Sequence, residues 1–266
     1  MPAKIDMLSK AGFLDRPEIL SVLFHPRKAP NVLPAGGVEE IVIDTKDDAV
    51  IGCRLHLGKK NYANILFFHG NGEIAHDYDP IGPVYNSCGL NFIVADYRGY
   101  GISTGKPSVS SMLSDACIIF DAICKKLENN GYSGPLWLMG RSLGSAPATG
   151  LAAGCKKQIE GLIIESGFAG VQDLLKRLGI LPKALDIETS MLFSNAENIS
   201  KFSGPLLVIH AEHDHIIPLE HGKQLFEASP SMKKSIKIIP DANHNNIFAL
   251  AGMNYFKYIE NFIYQQ

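Results

Sequence analysis

The chain of 266 residues carries a net charge of −2 and is 46% hydrophobic, enough apolar material for one sizeable core. No basic run marks a nucleic-acid partner, no stretch of about 18 apolar residues marks a transmembrane segment, and the start Met1-Pro2-Ala3-Lys4-Ile5-Asp6 lacks the apolar stretch of a secretory signal. The cysteines Cys53, Cys88, Cys117, Cys124 and Cys155 are odd in number and show no C-x-x-C or Cys/His cluster, so they are read as reduced thiols in a cytoplasmic protein without a metal.

Residues 1–37 read as an irregular, proline-rich arm. It ends in the turn signal Pro34-Ala35-Gly36-Gly37 and packs on the rest through Phe13, Leu14, Leu20, Val22, Leu23 and Phe24. The main domain is assigned to 38–266. Val38 to Asp44 and Val50 to Leu57 alternate apolar and polar residues around Thr45-Lys46-Asp47-Asp48, the pattern of an antiparallel hairpin with one wetter face. Unbroken apolar runs follow at Ile65–Phe68, Phe92–Ala95, Leu136–Met139, Leu162–Ile164, Leu206–Ile209 and Ile236–Ile239, as in strands buried on both faces. Between them, Ser111–Asn129 carries a helical stripe of Leu113, Cys117, Phe120, Ile123, Cys124 and Leu127, and Leu143–Ala153 is a small-residue helix with Pro147 as a possible kink. A last helix covers Ile247–Ile263. The alternation predicts an α/β fold: an eight-stranded, mostly parallel sheet flanked by helices. After the sixth strand, residues 168–202 show no strand signal and form a lid insertion. It is rich in apolar side chains: Val171, Leu174, Leu175, Leu178, Ile180, Leu181, Leu185, Ile187, Met191, Leu192 and Phe193.

G-x-S-x-G occurs twice, at Gly140–Gly144 around Ser142 and at Gly101–Gly105 around Ser103. A nucleophile elbow needs a strand running into the serine, a helix leaving it, and tiny residues two positions to either side. Ser142 meets all three demands, whereas Ser103 lies past its strand and is followed by Lys106-Pro107, so it reads as a loop serine. A serine hydroxyl attacks only when a base takes its proton, and that base is oriented by a carboxylate. In elbows of this kind the order is Ser, acid, His. His244, in the loop after the last strand, is the base, and Asp214, after the strand before it, is the acid, with Glu212 and then Glu165 as weaker competitors. His210, His213, His215 and His221 crowd the same region and read individually as loop or surface residues. The turn His69-Gly70-Asn71-Gly72-Glu73 after the third strand can aim the Asn71 amide at a substrate oxygen, paired with the Leu143 amide. His69 reads as a structural hydrogen-bonding residue.

Three segments carry a wider resemblance: His69–Glu73, Asp96-Tyr97-Arg98-Gly99-Tyr100-Gly101-Ile102-Ser103-Thr104-Gly105 and Asp214-His215-Ile216-Ile217-Pro218. From Val38 to the C-terminus the chain resembles the α/β-hydrolase superfamily. Within it the resemblance is to the small-cap branch that includes bacterial hydrolases and the depalmitoylating protein thioesterases. Phe24-His25-Pro26-Arg27 resembles the branch as well. The resemblance implies a hydrolase with Ser142, Asp214 and His244 as triad, a structural role for Asp96–Gly99, and a lid over the nucleophile. The cysteine-rich N-terminus of the depalmitoylases is missing, the first cysteine being Cys53.

The leading expectation is an esterase or thioesterase that works through an acyl-enzyme, without cofactor, on a small-molecule acyl ester or thioester. A minority of lid side chains line its apolar acyl pocket. A peptidase or amidase with the same triad is the first alternative, and a non-catalytic binding protein of the same fold the second. Oligomeric state is not legible.

Overall fold

Short apolar runs alternating with helical stripes build one sheet of eight strands in the computed structural model, which describes residues 8–30, 36–155, 159–188, 190 and 192–264. The strands are β1 (Val38–Asp44), β2 (Val50–His56), β3 (Ala63–Phe68), β4 (Leu90–Ala95), β5 (Leu136–Arg141), β6 (Gly161–Glu165), β7 (Leu206–Ala211) and β8 (Lys234–Ile239). Their spatial order is β1-β2-β4-β3-β5-β6-β7-β8. Only the β1–β2 and β2–β4 pairings are antiparallel; the rest are parallel. Every residue of β3, β4, β6 and β7 is buried and β1 is largely open to water, as their sequence patterns require. Strand β2, expected to have a wetter face, is buried except at Val50 because β4 and the helices cover it, and the edge strand β8, expected to be buried on both faces, buries only Ile239.

The sheet separates two apolar layers. On one face, α4 (Val109–Asn129) and α5 (Ser145–Gly154) pack with the lid and the N-terminal arm; on the other, α3 (Gly82–Ser87), α9 (Ile247–Ala251) and α10 (Met253–Tyr264) pack around Tyr85, Phe92, Trp137 and Phe256. Strand order reverses between β3 and β5, so the turns that leave these two strands flank a crevice. In open sheets that crevice is where ligands bind.

Three local expectations are corrected. The arm is helical rather than irregular: α1 (Leu8–Ala11), a 3₁₀ turn (Gly12–Leu14) and α2 (Pro17–Leu23). Pro17 there opens a helix instead of breaking one, because its fixed φ suits the first helical position and Arg16 before it is extended (φ −94°, ψ 140°). Leu14, Leu23 and Phe24 are buried as expected, Leu20 and Val22 are half-buried, and Phe13 is exposed; Pro34 and Ala35 of the turn signal lie outside the described residues. The terminal helix is two helices, divided at Gly252 (φ +52°). Finally, a 3₁₀ turn (Ser142–Gly144) precedes α5, which places Pro147 in the first helical turn, where its missing N–H removes no helix bond.

The segment after β6, expected as a lid, consists of α6 (Val171–Arg177), a 3₁₀ turn (Pro182–Leu185) and α7 (Asn195–Ser200). Buried Asn195 fixes its base by donating to Ser145 Oγ (3.0 Å) and to the Phe168 carbonyl (2.9 Å), while Thr149 Oγ1 donates to Asn195 Oδ1 (3.0 Å). Most of its apolar side chains are buried against the body, Leu181 is exposed, and Met191 is outside the described residues. The remaining helix, α8 (Leu219–Ala228), follows β7.

Candidate active site

β5 carries the chain straight into Ser142, whose φ of +51° is the strained conformation of a sharp strand-to-helix turn. The turn is possible because of its two glycines. A Cβ at Gly144 would strike the Phe68 carbonyl of β3, and one at Gly140 would strike the Gly144 carbonyl. No side chain of an L-residue fits either place.

His244 comes from the loop after β8 and Asp214 from the loop after β7, and the fold brings both to Ser142. His244 Nε2 stands 3.0 Å from Ser142 Oγ, and His244 Nδ1 stands 2.7 Å from Asp214 Oδ2. All three are nearly buried, with relative exposures of 8% (Ser142), 4% (His244) and 5% (Asp214). The second carboxylate oxygen of Asp214 accepts from the amides of Ile216 (3.1 Å) and Ile217 (2.8 Å). Burial pushes the Asp214 carboxyl up, but the bond and charge of His244, the Ile217 amide and the Ser166 hydroxyl outweigh it. The net shift is below the ordinary 3.8. Asp214 therefore stays ionised and orients the imidazole, whose Nε2 faces the serine.

The competitors lie elsewhere. Glu212 is exposed and accepts from the Asp241 amide. Glu165 pairs with Arg141 and Tyr255. Ser103 is fully buried, with its Oγ accepting from the Gly52 amide (2.8 Å). Of the neighbouring histidines, His210 is fully buried and donates from Nε2 to the Ile217 carbonyl (2.8 Å), His221 Nδ1 accepts from the Ala169 amide (3.2 Å), and His213 and His215 are exposed. His69 is buried between the Gly70 carbonyl (2.8 Å) and Asp96 (3.2 Å), a structural setting.

Asn71 and Leu143, whose amides are the expected oxyanion donors, line one apolar cavity together with Ser142. The cavity measures ≈60 Å³, and its other walls are Val22, Leu23, Leu174, Leu178 and Ile216. Leu174 and Leu178 come from the segment after β6. Val22 and Leu23 were read only as residues needing burial; no sequence signal pointed them at the serine. The Asn71 side chain is clamped from the arm and from the β4 loop: its Oδ1 accepts from the His25 amide and the Tyr100 hydroxyl (both 2.8 Å), and its Nδ2 lies 2.7 Å from His25 Nδ1.

Sequence reasoning also missed a largely buried ionic network around Arg141. The guanidinium pairs with Glu73 and Glu165 (3.0 Å to the latter) and donates to the His244 carbonyl (2.7 Å). Glu73 also accepts from the Gly70 amide (2.7 Å) and the Tyr78 hydroxyl (2.6 Å). One side chain thus ties together the turn after β3, the elbow, the end of β6 and the His244 loop. As an unremarkable middle residue of G-x-S, Arg141 carried no motif signal.

Among the described residues, Glu212, His213 and Asp241 are close enough to share a cation, but all three are exposed and none belongs to the Ser142 site. No helix of the described residues is long and apolar enough to cross a membrane.

Known proteins resemble both the sequence and the fold. A family model described as serine aminopeptidase, S33, matches residues 59–194 and 189–249. The lysophosphatidylserine lipase ABHD12 of Mus musculus is 34% identical over 189 residues, which covers 64% of this chain and 46% of the relative. Protein bem46 of Schizosaccharomyces pombe is 28% identical over 238 residues, covering 85% of this chain and 76% of that protein. The chain spans about half the length of the ABHD12 lipases it matches. Among solved structures, the Pyrococcus furiosus esterase Pf2001 superposes with a TM-score of 0.72 at 18% identity, covering 91% of this chain and 98% of that one, which is a likeness of fold.

Proposed function

The chain belongs to the α/β-hydrolase superfamily, in the serine hydrolase family whose model it matches over residues 59–249, and on that premise we propose that it cleaves a carboxylic ester or thioester of a small molecule through an acyl-enzyme. The observation that carries the proposal is the hydrogen-bonded chain Asp214–His244–Ser142 opening on an aliphatic cavity. Ser142 Oγ attacks the acyl carbonyl as His244 Nε2 takes its proton. The carbonyl oxygen, now negative, is held by the Asn71 and Leu143 amides. Collapse breaks the bond to the alkoxide or thiolate, which leaves with the proton from His244. Water then repeats the sequence on the acyl-enzyme and releases the acid. Lipase and esterase names among the relatives support this reaction class.

The family description raises aminopeptidase activity as a second reading. The residues lining the cavity beside Ser142 carry no charge, so they offer no partner for the α-ammonium group of a peptide. Ester cleavage is therefore the favoured reading.

Kinetics with p-nitrophenyl esters of short acids test it. Ser142→Ala is expected to lower turnover on the order of 10³-fold or more while the protein remains folded. Loss of activity in Ser103→Ala with retention in Ser142→Ala would overturn the assignment.

A further inference from the structure

The arm helix α2 lies outside the segment matched by the family model, yet it reaches the cavity beside Ser142. We infer that α2 is a substrate-selecting element: Val22 and Leu23 form one wall of the acyl cavity, and the side chain at position 22 sets the length of acyl chain that Ser142 accepts. The inference rests on the esterase reading above and deepens it.

Volume is the first argument. At ≈60 Å³ the apolar space beside Ser142 is small, and Val22 is one of the walls that an acyl chain entering it meets. The walls are aliphatic and uncharged, so the substrate class is an ester or thioester of an uncharged aliphatic acid. The second argument is which walls are fixed. Just before α2, the Asp15 carboxylate accepts from the Val109 (2.8 Å) and Ser110 (3.2 Å) amides at the start of α4. Arg16 then donates to the Leu185 carbonyl of the lid (2.6 Å). Just after α2, the His25 amide is bonded to Asn71, beside the expected oxyanion position. Both flanks of the helix are therefore tied to other elements. Leu23 is packed into the core (3% exposed), whereas Val22 is half-buried and lines the cavity. A change in size at position 22 alters cavity volume without removing a core side chain.

The test uses the full chain and a series of p-nitrophenyl esters from acetyl to octanoyl, comparing wild type, Val22→Ala and Val22→Phe. The readout is the ratio of kcat/KM for hexanoyl to that for acetyl. One methylene in a fitted pocket is worth about ten-fold or more in discrimination. The ratio is expected to rise about ten-fold in Val22→Ala and to fall about ten-fold in Val22→Phe. Thermal unfolding checks that each variant is folded, and Val22→Ala decides alone if the larger side chain is not tolerated. A ratio that stays within about two-fold of wild type, or moves the same way in both variants, overturns the role of α2 and leaves the esterase reading standing. A folded wild type that hydrolyses no ester of the series and does not react with a fluorophosphonate at Ser142 overturns the esterase reading, and this inference with it.

Discussion

Arg141 adjoins the attacking serine in sequence, yet its guanidinium is spent on Glu73, Glu165 and the carbonyl of His244. Burial alone would disfavour its charge, but the two carboxylates outweigh that cost and hold it protonated. Glu73 shows the reciprocal balance: burial pushes it up, and Arg141, the Tyr78 hydroxyl and the Gly70 amide bring it below its ordinary 4.5. Removing one partner of such a set strands the others. Arg141→Met is therefore expected to cost about 3–5 kcal/mol of folding stability, read from urea unfolding. Arg141→Lys is expected to recover only part of it, since an ammonium lacks the planar fork that reaches three acceptors. A methionine variant as stable as wild type would contradict this account. The same residues show where sequence reasoning reached its limit. Ser142 was legible because an elbow imposes local demands, glycines two positions either side and a strand running in. For the carboxylate, chain order favoured the loop after β7 and left Glu212 and Glu165 as competitors, and the fold places Asp214 against His244. Glu165 stood on the list of competing acids and proved to be a partner of Arg141, a pairing across 24 residues that no spacing rule encodes.

Among the elements, those whose pattern is set by burial on both sides of a sheet were readable strand by strand. The six strands read from apolar runs fall where those runs place them, with ends extended by one or two residues, and the two hairpin strands match their alternating segments to within one residue. Elements governed by a single backbone conformation were less legible. Gly252 interrupts a continuous helical stripe only because it adopts positive φ, and the stripe itself persists through Tyr255, Phe256 and Ile259 on the far side of the break. The arm was misread for the opposite reason. Its prolines look like breakers, yet Pro17 begins α2, and the contacts that stabilise so short a helix come from α4, the lid and the turn after β3. Those contacts carry the arm to the cavity beside Ser142, so the wall contributed by α2 depends on tertiary structure and was not readable locally.

Across the whole molecule, burying ionisable groups makes stability depend on pH in a definite direction. His56, His210 and His221 are each held below the ordinary 6.5, chiefly by burial. The unfolded chain thus binds more protons than the folded one once pH falls below about 6.5, so stability is full above that value and declines on acidification. Asp214 and Glu73, held below their ordinary 3.8 and 4.5, add a second decline at lower pH, because their contribution is present above those values and is lost as they protonate. The melting temperature is expected to drop between pH 7.5 and 5, and His210→Gln, which keeps a donor for the Ile217 carbonyl, is expected to drop less. Equal slopes for the two proteins would contradict the assignment to His210. The central claim, that the fold activates Ser142 through His244 and Asp214, is tested most directly by labelling with a fluorophosphonate probe. The account predicts that the wild type is labelled at Ser142 and that folded Ser142→Ala is not; labelling that survives the substitution, or a folded wild type that does not react, would contradict it.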